Sequence, residues 1–125
     1  MGMRGIRGAV TVEADTRDEI VSSTKWLLEE MVTRNEVNPE EIGSIIITTT
    51  EDLCATFPAQ AARLLEGEAW QYVPLMCARE IPVPGSLPLC IRVMMHVNTE
   101  KSAKEIQHVF LRDAVKLRPD LTNRS

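Results

Sequence analysis

The stretch that most restricts the fold runs from Leu89 to Val97, LCIRVMMHV. Leu89, Ile91, Val93, Met95 and Val97 form one wholly apolar face, and Cys90, Arg92, Met94 and His96 form the other. Successive side chains of a strand leave opposite faces of the pleat, so this period-two pattern requires a sheet with one side against a core. The residues before it, from Tyr72, read as a second strand joined to the first by a proline-rich turn. Pro82, Pro84 and Pro88 around Gly85 and Ser86 exclude a helix and set a stiff reversal. Arg92 is the odd member of its strand, because a guanidinium cannot discharge and must meet an anion. Two readings stand side by side. Arg92 pairs with Glu80 across the turn or snorkels at an edge, or it waits for an oxygen of a ligand.

The rest of the chain supplies the other layers. Met3 to Val12 reads as a first strand, with Gly5 and Gly8 flanking Arg7 closely enough for backbone or ligand to approach it. Thr16 with Glu19 forms a capping-box pattern, and Ile20, Thr24, Leu27, Leu28 and Met31 fall on one face of a helix from Arg17 to near Asn35. Asn38-Pro39-Glu40-Glu41 starts a short turn. Ser44 to Thr50, SIIITTT, is β-branched after its first residue and predicts a central strand. Pro58 to Glu66 predicts a second helix, on which Arg63 alone reads as a surface charge. Val109 to Leu111 predicts a short last strand, followed by a tail from Ala114 to Leu121. The order βαβαβββ describes one α/β (α+β) domain, with a mixed sheet of about five strands and helices on one face. The other face, with Ile91 and Val93 or their neighbours, then needs cover, and self-association supplies it.

Composition removes several function classes. The chain is 44% hydrophobic and 26% charged, with net charge −4 and no basic run, which argues against nucleic acid or an anionic membrane as partner. No segment reaches the roughly 20 apolar residues of a membrane span. The start, MGMRGIRGAV, lacks the apolar core of a signal peptide. Three cysteines without CxxC point to a reduced, cytoplasmic setting. The two histidines, His96 and His108, match no metal-ligand spacing with those cysteines, so no metal is expected.

Several blocks in fixed order resemble the monofunctional AroH-type chorismate mutases over nearly the whole length. They are RGIRGAVTVE at 4–13, FPAQAAR at 57–63, WQYVP at 70–74, CIRVMMHV at 90–97, HVFL at 108–111 and LRPDL at 117–121. The resemblance implies a homotrimer whose sheets form a barrel-like core, with active sites between subunits. It implies rearrangement of chorismate to prephenate, toward phenylalanine and tyrosine, without metal or cofactor. Carried over by position, Arg7 holds the side-chain carboxylate and Arg92 donates to the breaking ether oxygen. Glu80 accepts from the ring hydroxyl, which Cys77 also contacts. Phe57, Ala59, Leu75 and Met76 line an apolar wall, while Arg63, Leu117 and Arg118 sit at the mouth. Phe110 stands where the family commonly has tyrosine and Gln60 where lysine is common, so weaker binding with the chemistry retained is expected. Two rivals remain: an imine or enamine hydrolase on a similar trimer, and a non-catalytic trimeric module that binds a carboxylate metabolite.

Overall fold

The computed structural model describes residues 2–117. Its elements run β1 (Gly2–Thr11), α1 (Arg17–Arg34), a 3-10 turn at Pro39–Glu41, β2 (Ile42–Thr49), 3-10 turns at Pro58–Leu64 and Glu68–Tyr72, β3 (Leu75–Arg79), β4 (Cys90–Thr99), a 3-10 turn at Ala103–Glu105, β5 (Val109–Leu111) and a last 3-10 turn at Arg112–Lys116. Local chemistry explains α1. Thr16 accepts from the Glu19 amide at 3.2 Å, and Ile20, Thr24, Leu27, Leu28 and Met31 are all buried. The capping box is only half formed, because the Glu19 carboxylate reaches the Glu13 amide at 3.1 Å instead of closing on Thr16. At the other end Asn35 is buried, donating to Met31 O and Gln107 O and accepting from Gln107 N. That side chain pins the end of α1 to the segment entering β5. The second expected helix is instead a 3-10 turn ending at Leu64, with no side-chain cap at Phe57.

The five strands form one mixed sheet in the order β3-β2-β4-β1-β5. This corrects the reading of residues 72–97 as a strand pair joined by a reversal: β2 lies between β3 and β4, pairing parallel with the first and antiparallel with the second. The proline-rich connection crosses the end of β2 and is tied there, with Leu89 N donating to Asp52 Oδ2 and Cys90 N to Thr50 Oγ1, each at 3.0 Å. The main core lies between sheet and helices and takes Ile6, Val10, Ile45, Ile47, Ile91, Val93, Met95 and Val97 from the strands. Gly8 is the close-approach point, since a Cβ there would collide with Met31 Sδ of α1.

Ile91 and Val93 are therefore covered by the chain's own helices, a second correction. The side facing away from α1 is built of the opposite set. Strand register aligns Met76, Ile46, Met94 and Arg7 in one row, and Ala78, Thr48, Arg92, Ala9 and Phe110 in the next. Ala9, Cys90, Phe110 and Ala114 make a small second cluster on that side, against which Leu87 and Leu117 pack.

Candidate active site

A cleft of about 560 Å³ opens on that second face, lined by Arg7, Gly8, Ala9, Ile46, Thr48, Glu80, Arg92, Val93, Met94, Phe110 and Leu117. Arg7 lies opposite Met94, and Arg92 opposite Ala9. The two arginines are thus diagonal neighbours on adjacent strands, a placement of roughly 7–8 Å at the backbone. Neither guanidinium is neutralised by a tight pair. Arg7 has no carboxylate within ion-pair distance among the described residues, and Arg92 Nε stands 3.7 Å from Glu80 Oε2, beyond hydrogen-bond length. Arg7 is fixed through its backbone, whose amide donates to His108 Nδ1 at 2.9 Å. Glu80 follows β3, and its amide extends the ladder by donating to Thr49 O at 2.9 Å. Its Oε2 accepts a hydrogen bond from Thr48 Oγ1. Burial pushes the neighbouring Cys90 thiol above its ordinary pKa, against the opposing pull of Arg92.

The remaining candidates lie elsewhere. Phe57, Ala59, Gln60, Arg63, Leu75 and Cys77 line a second cleft of about 720 Å³, together with Trp70, Gln71, Ala62 and Val73. The two clefts share no residue. Strand parity explains the division. Leu75 and Cys77 point from β3 toward the helical layer and pack on the main core, whereas Met76, Ala78 and the Glu80 carboxylate lie on the opposite side. Met76 is 65% exposed and lines neither cleft. Phe57 is 71% exposed, held out by a loop that two side chains fix. Asp15 Oδ1 accepts the amides of Cys54 and Ala55 at 2.9 Å, and Arg79 donates to Thr50 O and Leu53 O at 2.8 and 2.9 Å. Gln60 Oε1 is buried with no hydrogen-bond partner among the described residues. Arg118 lies outside the described residues. Sequence reasoning missed Thr48, Ile46 and Met94, which join the cleft only through the register of β2 against β4.

This face carries two arginines and one carboxylate, with Arg92 only loosely paired to Glu80 at 3.7 Å, beside the apolar Ala9, Ile46, Met94 and Phe110, an arrangement that can receive a small anionic ligand. Among the described residues it presents neither a nucleophile–base pair nor a basic track. The family model of chorismate mutase type I matches residues 3–121. The chain is 50% identical to chorismate mutase AroH of Bacillus subtilis (strain 168) over 122 residues, 98% of this chain and 94% of that protein. It is also 50% identical to chorismate mutase AroH of Thermus thermophilus over 120 residues, 95% and 96% of the two chains. A solved chorismate mutase from Clostridium thermocellum superposes with a TM-score of 0.84 at 54% identity, over 89% of this chain and 96% of that one. The chain belongs to the chorismate mutase type I family.

Proposed function

We propose that this chain is an isomerase that converts chorismate to prephenate, in sites completed between the subunits of a homotrimer. Arg7, Glu80, Arg92, Phe110 and Leu117 of one protomer then face Phe57, Ala59, Gln60, Arg63, Leu75 and Cys77 of a neighbour. The observation that carries the reading is the pair of diagonal arginines beside Glu80. Arg7 suits the side-chain carboxylate. Arg92 suits the ether oxygen, and Glu80 the ring hydroxyl. Intersubunit sharing rests on strand parity, because Cys77 and Glu80 leave opposite faces of the β3 edge and reach one hydroxyl only from two copies.

The rearrangement is pericyclic, so it needs no attacking group and no proton transfer. Two contributions remain. The cleft holds the flexible enolpyruvyl arm folded over the ring in the reactive conformer. Arg92 stabilises the negative charge that grows on the ether oxygen as the C–O bond stretches, and a preorganised donor at such an oxygen contributes about 10²- to 10³-fold. The row of exposed Met76 and Ile46 with half-buried Met94 is the surface that association covers in this reading.

The test is loss of chorismate absorbance with purified protein beside Arg92→Ala, with prephenate identified as product. Turnover in the parent and near-background rates in the variant are expected. A folded trimer that binds but does not convert chorismate would replace the enzyme reading with that of a carboxylate-binding module.

A further inference from the structure

We propose that Thr48 is a positioning residue of this site: its hydroxyl holds the Glu80 carboxylate so that Arg92 stays open toward the ether oxygen. The inference rests on the roles just given to Glu80 and Arg92, and deepens them. Thr48 lies directly opposite Arg92 in the β2–β4 register, is half-buried, and lines the same cleft. Its Oγ1 donates to Glu80 Oε2, the same oxygen that stands 3.7 Å from Arg92 Nε.

The geometry settles a competition. A carboxylate beside an unneutralised guanidinium is drawn into a two-point pair, which would occupy the planar fork with both carboxylate oxygens. Arg92 would then offer less to substrate, and both Glu80 oxygens would be engaged and turned away from a ring hydroxyl. Here Thr48 claims Oε2, and the arginine contact stays longer than a hydrogen bond. Glu80 Oε1 has no hydrogen-bond partner among the described residues and is left for the substrate. The backbone cooperates, since the Glu80 amide is tied to Thr49 O, next to Thr48 on β2. That register position on β2 sets Thr48 opposite Arg92 with its hydroxyl on Glu80.

Thr48→Val keeps the β-branched shape and removes the donor; Thr48→Ser keeps the donor. Steady-state kinetics with chorismate are measured for both, and for Thr48→Val in the Glu80→Ala background, with thermal unfolding as control. The expected result is a kcat about tenfold lower in Thr48→Val, the range of one lost hydrogen bond to a charged group. Its KM stays within about twofold, the midpoint of unfolding does not move, and serine restores most of the rate. Because Thr48 acts through Glu80, adding Thr48→Val to Glu80→Ala changes kcat by less than about twofold. Parent-like kcat in Thr48→Val, or an equal drop in both backgrounds, overturns the positioning role while leaving the site reading intact. A Glu80→Ala variant as fast as the parent overturns the site reading itself, and Thr48 with it.

Discussion

Replacing Arg92 is expected to separate catalysis from stability. Its single ion pair among the described residues, with Glu80 at 3.7 Å, joins side chains 44% and 25% exposed. Such half-solvated pairs contribute between nothing and about 1 kcal/mol to folding. In the proposed place at the ether oxygen, a preorganised donor lowers the barrier by roughly 3–4 kcal/mol, and a charged one by more. Arg92→Ala therefore loses about 10³-fold or more in kcat, while urea unfolding shifts by less than about 1 kcal/mol. Arg92→Lys keeps the charge but loses the planar fork, so its kcat falls by about 10². Chorismate absorbance and a urea titration on the same preparations give both numbers. A lysine variant within about threefold of the parent would refute the electrostatic account. So would an alanine variant whose stability falls as steeply as its rate, since the effect would then lie in the fold.

Three further outcomes follow from single side chains. Phe110→Tyr restores a hydroxyl at the cleft wall beside Ala9 and Arg92, and is expected to lower KM about threefold or more with little change in kcat, by steady-state kinetics. Asn35→Leu strips three hydrogen bonds, one to Met31 and the two that pin the end of α1 to Gln107, and should cost about 2–3 kcal/mol in denaturant unfolding, because the carbonyls of Met31 and Gln107 and the Gln107 amide lose that partner. Burial raises the Cys90 pKa, so the folded state favours the neutral thiol. That stabilisation is complete below the free thiol's pKa and is lost as pH rises through the Cys90 value, so stability should fall on the alkaline side and Cys90 should react with disulfide reagents only on unfolding.

What was legible in the chain was local. The cap at Thr16, the buried stripe from Ile20 to Met31 and the alternation from Cys90 to Val97 are short-range patterns that the structure repeats, while Leu89, read as the first strand residue, lies outside β4 at a φ of 52°. Strand adjacency was not legible. Val12, Thr50 and Asp52 all contact the start of β4, and those contacts, not the prolines, decide where residues 80–89 lead. The segment after Phe57 carries helix-forming residues, yet without a side-chain cap, and with Leu65 extended ahead of Gly67, it closes as a 3-10 turn. Thr48 was hidden by its own aptness for a strand, since a β-branched run accounts for it without any partner. The site residues came from resemblance, because no spacing in a sequence reveals which side chains share a face across three strands.

Parity along β3 was nevertheless available from the start, and it supports the strongest test of the proposed assembly. Cys77 and Glu80 are an odd number of residues apart, so a strand carried through both sends them to opposite sides. Two damaged chains should then repair each other. Arg92→Ala spoils one half of each site, and Phe57→Glu with Arg63→Glu spoils the other by setting carboxylates against an anionic substrate. Refolded together in equal amounts, each variant joins the trimer at random. A site is intact when its arginine half comes from the second variant and its aromatic half from the first, which gives about a quarter of all sites. Activity near a quarter of the parent level, from two preparations that are each inactive, is expected. A site built within one chain predicts no recovery in the mixed trimer, since every copy carries one defect, and that outcome would end the shared-site reading.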